Sequence, residues 1–172
     1  EAVADVSAAL TSILDLSAVL ERLLANVGRV VPHDAANIML VEETAEGTEV
    51  RFASWHGYDP ELDTFFRKQR LSVHKSGLAH MFTTGLPDLV ERTDDRPNWN
   101  HLPDNPWVRS CLGVPIHTND QVIGFLNLDS QTPGFFTEHH AERLQLFADH
   151  AAIALRNAQL YEQIQTHAAD LE

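Results

Sequence analysis

Residues 110–130 read SCLGVPIHTNDQVIGFLNLDS, and this stretch decides the fold. Arg109 to Ile116 and Gln121 to Asp129 are largely apolar and contain β-branched residues, which is typical of strands. Between them, Asn119-Asp120 is a turn signal of the kind that joins two antiparallel strands. The stretch therefore predicts a β-hairpin.

A second hairpin is predicted upstream, and helices are predicted at both ends of the chain. Ala35 to Glu42 and Glu49 to Trp55 have the pattern of strands and are separated by a polar turn. Apolar residues recur three and four positions apart from Val3 to Ile13, which indicates a helix. Asp15 or Ser17 can cap a second helical run, whose apolar stripe extends from Val19 to Val30. Thr137 can cap a long helix from Glu138 to about Leu171.

This order of elements predicts one α+β domain over residues 1–172. We expect a central antiparallel sheet with N- and C-terminal helices on one face, and short helices and loops covering the other. The predicted regions are an N-terminal helical region, 1–31; a sheet region, 35–136, whose irregular segment 72–107 covers a pocket; and a C-terminal helix, 137–172, that runs into a linker coiled coil.

The charge of the chain argues against two classes of partner. Its 172 residues include 12 Lys and Arg against 25 Asp and Glu, a formal net charge of −13. Such a surface repels nucleic-acid phosphates and anionic lipids. No apolar run approaches the roughly 20 residues that span a bilayer. We therefore expect no nucleic-acid binding and no membrane insertion.

The single cysteine bears on the compartment. Cys111 alone cannot form an internal disulfide or a multi-cysteine zinc site, and a lone thiol suits a reducing environment. No basic and apolar leader resembling a signal peptide opens the sequence, so we expect a cytoplasmic location. The chain begins with Glu1 rather than Met, which indicates part of a longer protein with its output domain elsewhere in the same chain.

The predicted C-terminal helix has two apolar stripes. The first, from Leu144 to Ala158, is rich in small residues and suits close packing on the sheet. The second alternates spacings of four and three, which is a heptad frame that calls for a partner helix. We therefore expect a homodimer through the terminal helices, although a single-chain helix with a frayed end is the alternative. The predicted interface residues are Ile153, Asn157, Leu160, Ile164 and Leu171.

Several pieces of the chain, in this order and spacing, resemble the GAF domain family. They are Leu14-Asp15-Leu16-Ser17, the strand at 36–40, Ser76-Gly77-Leu78-Ala79 with Thr84-Gly85-Leu86-Pro87, the hairpin at 110–130, Phe135-Phe136-Thr137-Glu138, and residues 151–161 of the last helix. The resemblance covers nearly the whole chain and implies a PAS-like layout. It also implies a sensory module of a bacterial signalling protein rather than an enzyme. Such domains feed outputs such as histidine kinases of two-component systems, diguanylate cyclases or transcriptional activators.

Members of the family hold ligands such as cyclic nucleotides, bilins or haem, and the residues here match none of these closely. The Asn-Lys-Phe-Asp-Glu set of cyclic-nucleotide-binding members has no counterpart. Bilin-binding members attach the chromophore through a Cys in the middle segment, whereas Cys111 lies in a predicted strand. A haem would need an axial ligand such as His80 or His101. The branch that reduces free methionine sulfoxide uses several cysteines, and this chain has one. The sequence therefore requires no cofactor and leaves the ligand unidentified.

An aromatic pocket with a few polar groups is the candidate site. Two tryptophans in a polar loop are unusual, so we expect them to cover a pocket or to cap the sheet. Arg109 and Cys111 share one face of their predicted strand, because alternate residues point the same way. Asn127 is a polar residue in a central strand and needs a hydrogen-bond partner when it is buried. No Ser-His-Asp spacing, carboxylate pair or phosphate loop supports catalysis or a metal. The predicted ligand-binding residues are Trp55, His80, Trp99, Trp107, Arg109, Cys111 and Asn127.

The sequence thus predicts a non-catalytic sensory domain. It would bind a small, partly anionic or heteroaromatic molecule over the sheet and relay the signal through the terminal helices of a homodimer. Three alternatives stay open: a ligand-free dimerisation and relay module, a bilin or haem sensor, and an enzyme.

Overall fold

Two β-hairpins lie side by side at the centre of the molecule. The computed structural model describes residues 15–97, 99, 102 and 107–171, so the first predicted helix, Val3 to Ile13, lies outside the described residues. In chain order the elements are α1 (Leu16–Val27), β1 (Ala35–Thr44), β2 (Gly47–His56), α2 (Asp63–Lys68), β3 (Arg70–Ser72), α3 (Ala79–Thr84), β4 (Asp88–Val90), β5 (Ser110–Thr118), β6 (Gln121–Ser130) and α4 (Glu138–Leu171). Short 3₁₀ turns lie at Pro60–Leu62 and Thr93–Asp95.

The strands form a six-stranded antiparallel sheet in the order β3-β2-β1-β6-β5-β4. The hairpins β1–β2 and β5–β6 agree with the sequence pattern. They are joined because β1 also pairs with β6, which places Asn37 opposite Asn127. Nothing in the sequence pattern predicts β4, because a strand of three residues is too short to show alternation and is formed by its pairing with β5.

One face of the sheet is covered by α1 and α4, as predicted. Asp15 caps α1: its Oδ1 accepts hydrogen bonds from the backbone N–H groups of Ser17, at 3.0 Å, and Ala18, at 3.4 Å. Leu24 of α1 and Leu155 of α4 are buried in the main core between the helices and the sheet. The strands contribute Ala36, Ile38, Leu40, Leu112, Val114, Ile116, Leu126 and Leu128 to that core. The predicted α+β class and layering are confirmed.

The opposite face has a smaller apolar core. Met39, Val50, Val73, Met81 and Phe125 form it. On this side Met81 of α3 and the described residues Arg96, Trp99 and Leu102, between β4 and β5, line a cavity over the central strands.

The 34-residue α4 presents an apolar stripe to solvent. Ile153 is 67% exposed and Ile164 is 66% exposed, and Asn157 and Leu160 are exposed on the same stretch of helix. Leu171 is the last helical residue, and its side chain lies outside the described part. The four predicted interface residues whose side chains are described are therefore exposed, and the dimer interface stays a prediction. None of the helices in the described ranges combines the length and apolar character needed to cross a membrane.

Candidate ligand-binding site

A cavity of about 110 Å³ lies between the sheet and the segment that covers it. Its walls are largely apolar and include Met39, Phe52, Met81 and Trp99. Its polar end is formed by a second group of side chains: Asn37, Asp88, Arg96, Cys111, Asn127 and Asp129. A mostly apolar concavity with a few convergent polar groups is the usual form of a small-molecule site.

The register of the central strands brings the polar residues together. Asn127 of β6 lies opposite Asn37 of β1 on one side and Gly113 of β5 on the other. Asp129 of β6 lies opposite Cys111 of β5. Because alternate residues of a strand point to the same face, these side chains share the cavity face of the sheet. The neighbouring Leu126 and Leu128 point to the helices and lie in the main core.

Three of these polar side chains form a chain of hydrogen bonds with a fourth, Tyr58, which lies outside the cavity lining. Asn127 Nδ2 donates to Asn37 Oδ1 at 3.0 Å, and Asn37 Nδ2 donates to the hydroxyl oxygen of Tyr58 at 2.9 Å. The Tyr58 hydroxyl donates to Asp129 Oδ2 at 2.5 Å. An ionised carboxylate accepts hydrogen bonds only, so Asp129 sets the direction of every donor in this chain. We call these four residues the polar relay.

Burial perturbs the titratable members of the site. It raises the pKa of Asp129 from 3.8 to about 6, although hydrogen bonds from Tyr58 and Cys111 favour the charged form. Burial and the neighbouring Asp129 carboxylate also raise the pKa of the Tyr58 hydroxyl and of the Cys111 thiol well above their ordinary values. Tyr58 and Cys111 are therefore neutral hydrogen-bond donors at neutral pH, and Asp129 titrates near the physiological range.

We expect the domain to lose stability as the pH rises from about 4 to about 6. Asp129 loses its proton near pH 3.8 in the unfolded chain and near about 6 in the folded one, so between these values the folded state binds more protons. Rising pH in that window favours unfolding, and above it the whole loss persists. At ~1.36 kcal/mol for each pKa unit, the loss amounts to roughly 1–3 kcal/mol. Denaturant titrations at several pH values across the window measure it.

The control for this prediction is a pair of matched substitutions. Asp129→Asn should abolish the loss and be more stable than the parent at neutral pH, because it removes a buried charge. Asp94→Asn changes a carboxylate whose side chain is 61% exposed, and it should keep the dependence. The prediction is wrong if Asp129→Asn follows the parent curve across the window.

Arg96 is the cationic side chain that lines the cavity among the described residues. Its Nη1 and Nη2 donate to the two carboxylate oxygens of Asp88 at 2.9 and 3.0 Å, a bidentate pair. The structure differs here from the sequence prediction, which placed Arg109 in the pocket. Arg109 lies just before β5, is exposed, and its Nη1 donates to Asp94 Oδ2 at 3.3 Å.

Gly113 makes room for the polar end of the cavity. A Cβ at this position would lie 2.7 Å from Asn127 Oδ1 and 2.9 Å from Met81 Cε. Any larger side chain would therefore push against the polar relay and the apolar wall at once. The absence of a side chain at Gly113 therefore keeps space open over the sheet.

Of the residues predicted to bind a ligand, Trp99, Cys111 and Asn127 line the cavity. The other four do not line it: Arg109 is exposed, as described above, and the remaining three have other surroundings. His80 is on an exposed position of α3. Trp55 does not line the cavity: it packs on the ring of Phe66, with ring centroids 5.1 Å apart, and its Nε1 donates to Asp63 Oδ1 at 2.9 Å. Trp107 packs on the ring of Tyr58, a member of the polar relay, with ring centroids 6.1 Å apart.

The predicted site residues omit the apolar wall of the cavity and five polar residues of the cavity or the polar relay: Asn37, Tyr58, Asp88, Arg96 and Asp129. Asn37 had a readable signal, because it is a polar residue inside an apolar strand, as Asn127 is. Asp129 alternates with Asn127 and shares its face, but the pattern could not show which layer that face meets. Arg96 and Asp88 meet only through the path of the covering segment, and they had no local signal.

A family model and several solved structures that are similar to this chain agree on one family. The family model described as GAF domain matches residues 13–156. The GAF domain/HD domain protein from Geobacter sulfurreducens superposes with a TM-score of 0.74 at 18% identity, over 88% of this chain and 98% of that one. The GAF-B domain of DevS from Mycobacterium smegmatis gives a TM-score of 0.64 at 20% identity, over 87% and 99%. At these identities the likeness is one of fold.

Two further similar proteins have names that state an activity or a role, and these belong to those proteins. Free methionine-R-sulfoxide reductase from Neisseria meningitidis, an enzyme, gives a TM-score of 0.69 at 20% identity, over 86% of this chain and 81% of that one. The anaerobic nitric oxide reductase transcription regulator NorR of Salmonella gallinarum is 42% identical over 59 residues, which are 34% of this chain and 12% of NorR. The chain thus matches a small part of a longer regulator. Because the family model matches most of its length, the chain belongs to the GAF domain family.

Proposed function

We propose that this GAF domain is a non-catalytic sensory module that binds a small molecule in the cavity over the sheet and biases the arrangement of α4. The polar relay at the end of the cavity carries the proposal. Asn37, Asn127 and Asp129 are 6%, 8% and 5% exposed, in strands whose other inward positions are apolar. Burying such groups costs free energy that an apolar core would not lose, so their presence favours a binding role over a structural one.

The size of the cavity favours a small ligand. Pockets that enclose drug-sized ligands have about 300–1,000 Å³, and this one has about 110 Å³. That volume does not suit a tetrapyrrole, which weighs against the bilin and haem alternatives. The cavity is also lined by one thiol, that of Cys111, which is buried and neutral. A reducing cytoplasm suits that free thiol.

A physical connection from the cavity to α4 supports the relay. β5 and β6 bear cavity residues on one face and main-core residues on the other, and α4 packs on the second face. Gln145 Nε2 of α4 also donates to the carbonyl oxygen of Pro115 in β5 at 3.1 Å. A ligand that prefers one position of β5 therefore has a short route to the helix.

The exposed stripe of α4 supports a second copy of the chain as the helix partner. Ile153, Leu160 and Ile164 recur at spacings of seven and four, and exposed apolar side chains in such a row are typical of helix pairing. This stripe does not depend on the cavity. It therefore favours the second candidate function as well, a dimerisation and relay module that holds no ligand.

Binding of fragments separates the two candidates. We expect a ligand-observed NMR screen of fragments with about ten non-hydrogen atoms or fewer to give hits that compete with one another. The substitution Gly113→Leu should abolish the hits, because its side chain enters the cavity beside Asn127 and Met81. Leu146→Ala, at a position 61% exposed on α4, should keep them.

A native mass spectrum of the freshly purified domain complements the screen, because extra mass lost on denaturation would reveal a retained ligand. Hits that persist in Gly113→Leu, with its fold verified by circular dichroism, would show that binding occurs elsewhere. No hits and no retained mass would leave the ligand-free module as the function.

A further inference from the structure

The polar end of the cavity presents hydrogen-bond acceptors. Asp129 accepts from Tyr58, so the Tyr58 oxygen accepts from Asn37 Nδ2, and Asn37 Oδ1 accepts from Asn127 Nδ2. This order leaves Asn127 Oδ1 at the end of the polar relay, on the cavity side. Within the described ranges no hydrogen-bond donor reaches that oxygen, although Asn127 is only 8% exposed. A ligand that satisfies this end must therefore donate.

The charge at this end is uncompensated. Both carboxylate oxygens of Asp88 are held by Arg96, so that pair is neutral as a unit. Asp129 is bonded to two neutral donors, Tyr58 and Cys111. Among the described residues no ion pair involves Asp129. A buried carboxylate without a cation is unfavourable until a cation joins it.

Resting on the ligand site proposed above, we propose that the ligand is a small organic cation: a primary ammonium group that contacts Asp129 and Asn127 Oδ1 and carries a short apolar chain. This revises the expectation of a partly anionic ligand. That expectation depended on Arg109 in the pocket, and Arg109 is exposed while the cavity's Arg96 is already paired. The net charge of −13 also raises the local concentration of cations around the domain.

The apolar walls limit the length of the chain. An apolar cavity of about 150 Å³ accepts a benzene ring, and this cavity has about 110 Å³. An alkyl chain of about four carbons fits that volume, and it would lie against Met39, Phe52 and Met81. n-Butylammonium is therefore a suitable probe, with n-butanol and butyrate as neutral and anionic molecules of the same length.

The proton on Asp129 couples binding to pH. The groups that face this carboxyl are Tyr58, from the loop after β2, and Cys111, from β5. The Arg96–Asp88 ion pair lines the same cavity, with Asp88 on β4 opposite Gly113. Tyr58 and Cys111 stay neutral across the range in question. An ammonium ion selects the ionised carboxylate, so its affinity should rise about tenfold between about pH 5 and about pH 7.5. Butanol should show no such rise.

Isothermal titration calorimetry of the 172-residue chain with the three probes tests the inference. We expect n-butylammonium to bind at least about tenfold more tightly than butanol or butyrate at about pH 7.5. Asp129→Asn should weaken ammonium binding by at least about tenfold and remove its pH dependence. This variant is expected to remain folded, because it loses a buried charge. Asp94→Asn, which removes an exposed carboxylate outside the cavity, should leave the affinity unchanged.

Three results would overturn the inference: butyrate or butanol binding at least as tightly as the ammonium, full ammonium affinity in Asp129→Asn, or no ammonium binding at either pH. The first of these, when Gly113→Leu abolishes the binding, leaves the proposed sensory function intact and removes only the cationic class. The fragment screen and the native mass spectrum decide the sensory function separately.

Discussion

Replacing Gly124 with alanine is expected to lower the free energy of unfolding by about 3 kcal/mol, at the upper end of the usual cost of overpacking. Gly124 lies on β6 opposite Leu40 of β1. A Cβ there would lie 2.5 Å from the carbonyl oxygen of Met39 and 3.2 Å from Leu40 Cδ2. The first contact is with backbone, which can retreat only by disturbing the β1–β6 pairing that joins the two hairpins. Urea denaturation followed by far-ultraviolet circular dichroism measures the loss.

Gly113→Ala is the matched control for Gly124→Ala. The new Cβ would meet the side chains of Asn127 and Met81 rather than backbone. Side-chain ends can shift more easily than a strand, so a loss of about 1 kcal/mol is expected, with a smaller cavity as its structural result. Equal losses in the two variants would contradict the view that the β1–β6 junction is the least tolerant part of the sheet.

Truncating Leu155 to alanine is expected to destabilise the domain by about 3 kcal/mol, within the range for fully buried leucines. Leu155 is 0% exposed and lies in the main core between α1, α4 and the sheet. Its removal leaves a cavity that the surrounding helices and strands can fill only in part. Denaturant unfolding, with the slope compared between variants, gives the value.

Substitution of Ile153, two residues earlier on the same helix, should affect self-association rather than the stability of the protomer. It is 67% exposed, so Ile153→Asp should change the unfolding free energy of the protomer by no more than about 1 kcal/mol. The same change should weaken self-association, because it places a charge in the proposed helix pair. Sedimentation velocity measures this directly. A parent protein that sediments as a monomer, or a variant that dimerises as well as the parent, would refute the proposed interface.

Three of the residues that line the cavity were anticipated from the local sequence, and its other polar residues were not. Asn127 was predicted because it departs from the apolar pattern of its strand, and a buried polar group needs a partner. Cys111 was predicted because it shares a strand face with Arg109. Trp99 was predicted because a large apolar side chain in a polar loop tends to be covered. The prediction that Arg109 is the cavity's cation was wrong. Alternation along the predicted strand could not show that β5 begins at Ser110, one residue after Arg109.

The sequence by itself determined the elements: two hairpins, set by turn signals and apolar runs, and a last helix whose buried and exposed stripes follow from a period near 3.6 residues. These are local properties, because each depends on neighbours within a few positions. The tertiary structure alone decided the site. Asn127 and Asn37 are 90 residues apart, and they meet because β1 pairs with β6. Arg96 reaches Asp88 only through the path of the covering segment. Hydrogen bonds and ion pairs between distant segments leave no periodic mark in a sequence, because either partner is compatible with many others until the packing of the sheet selects one.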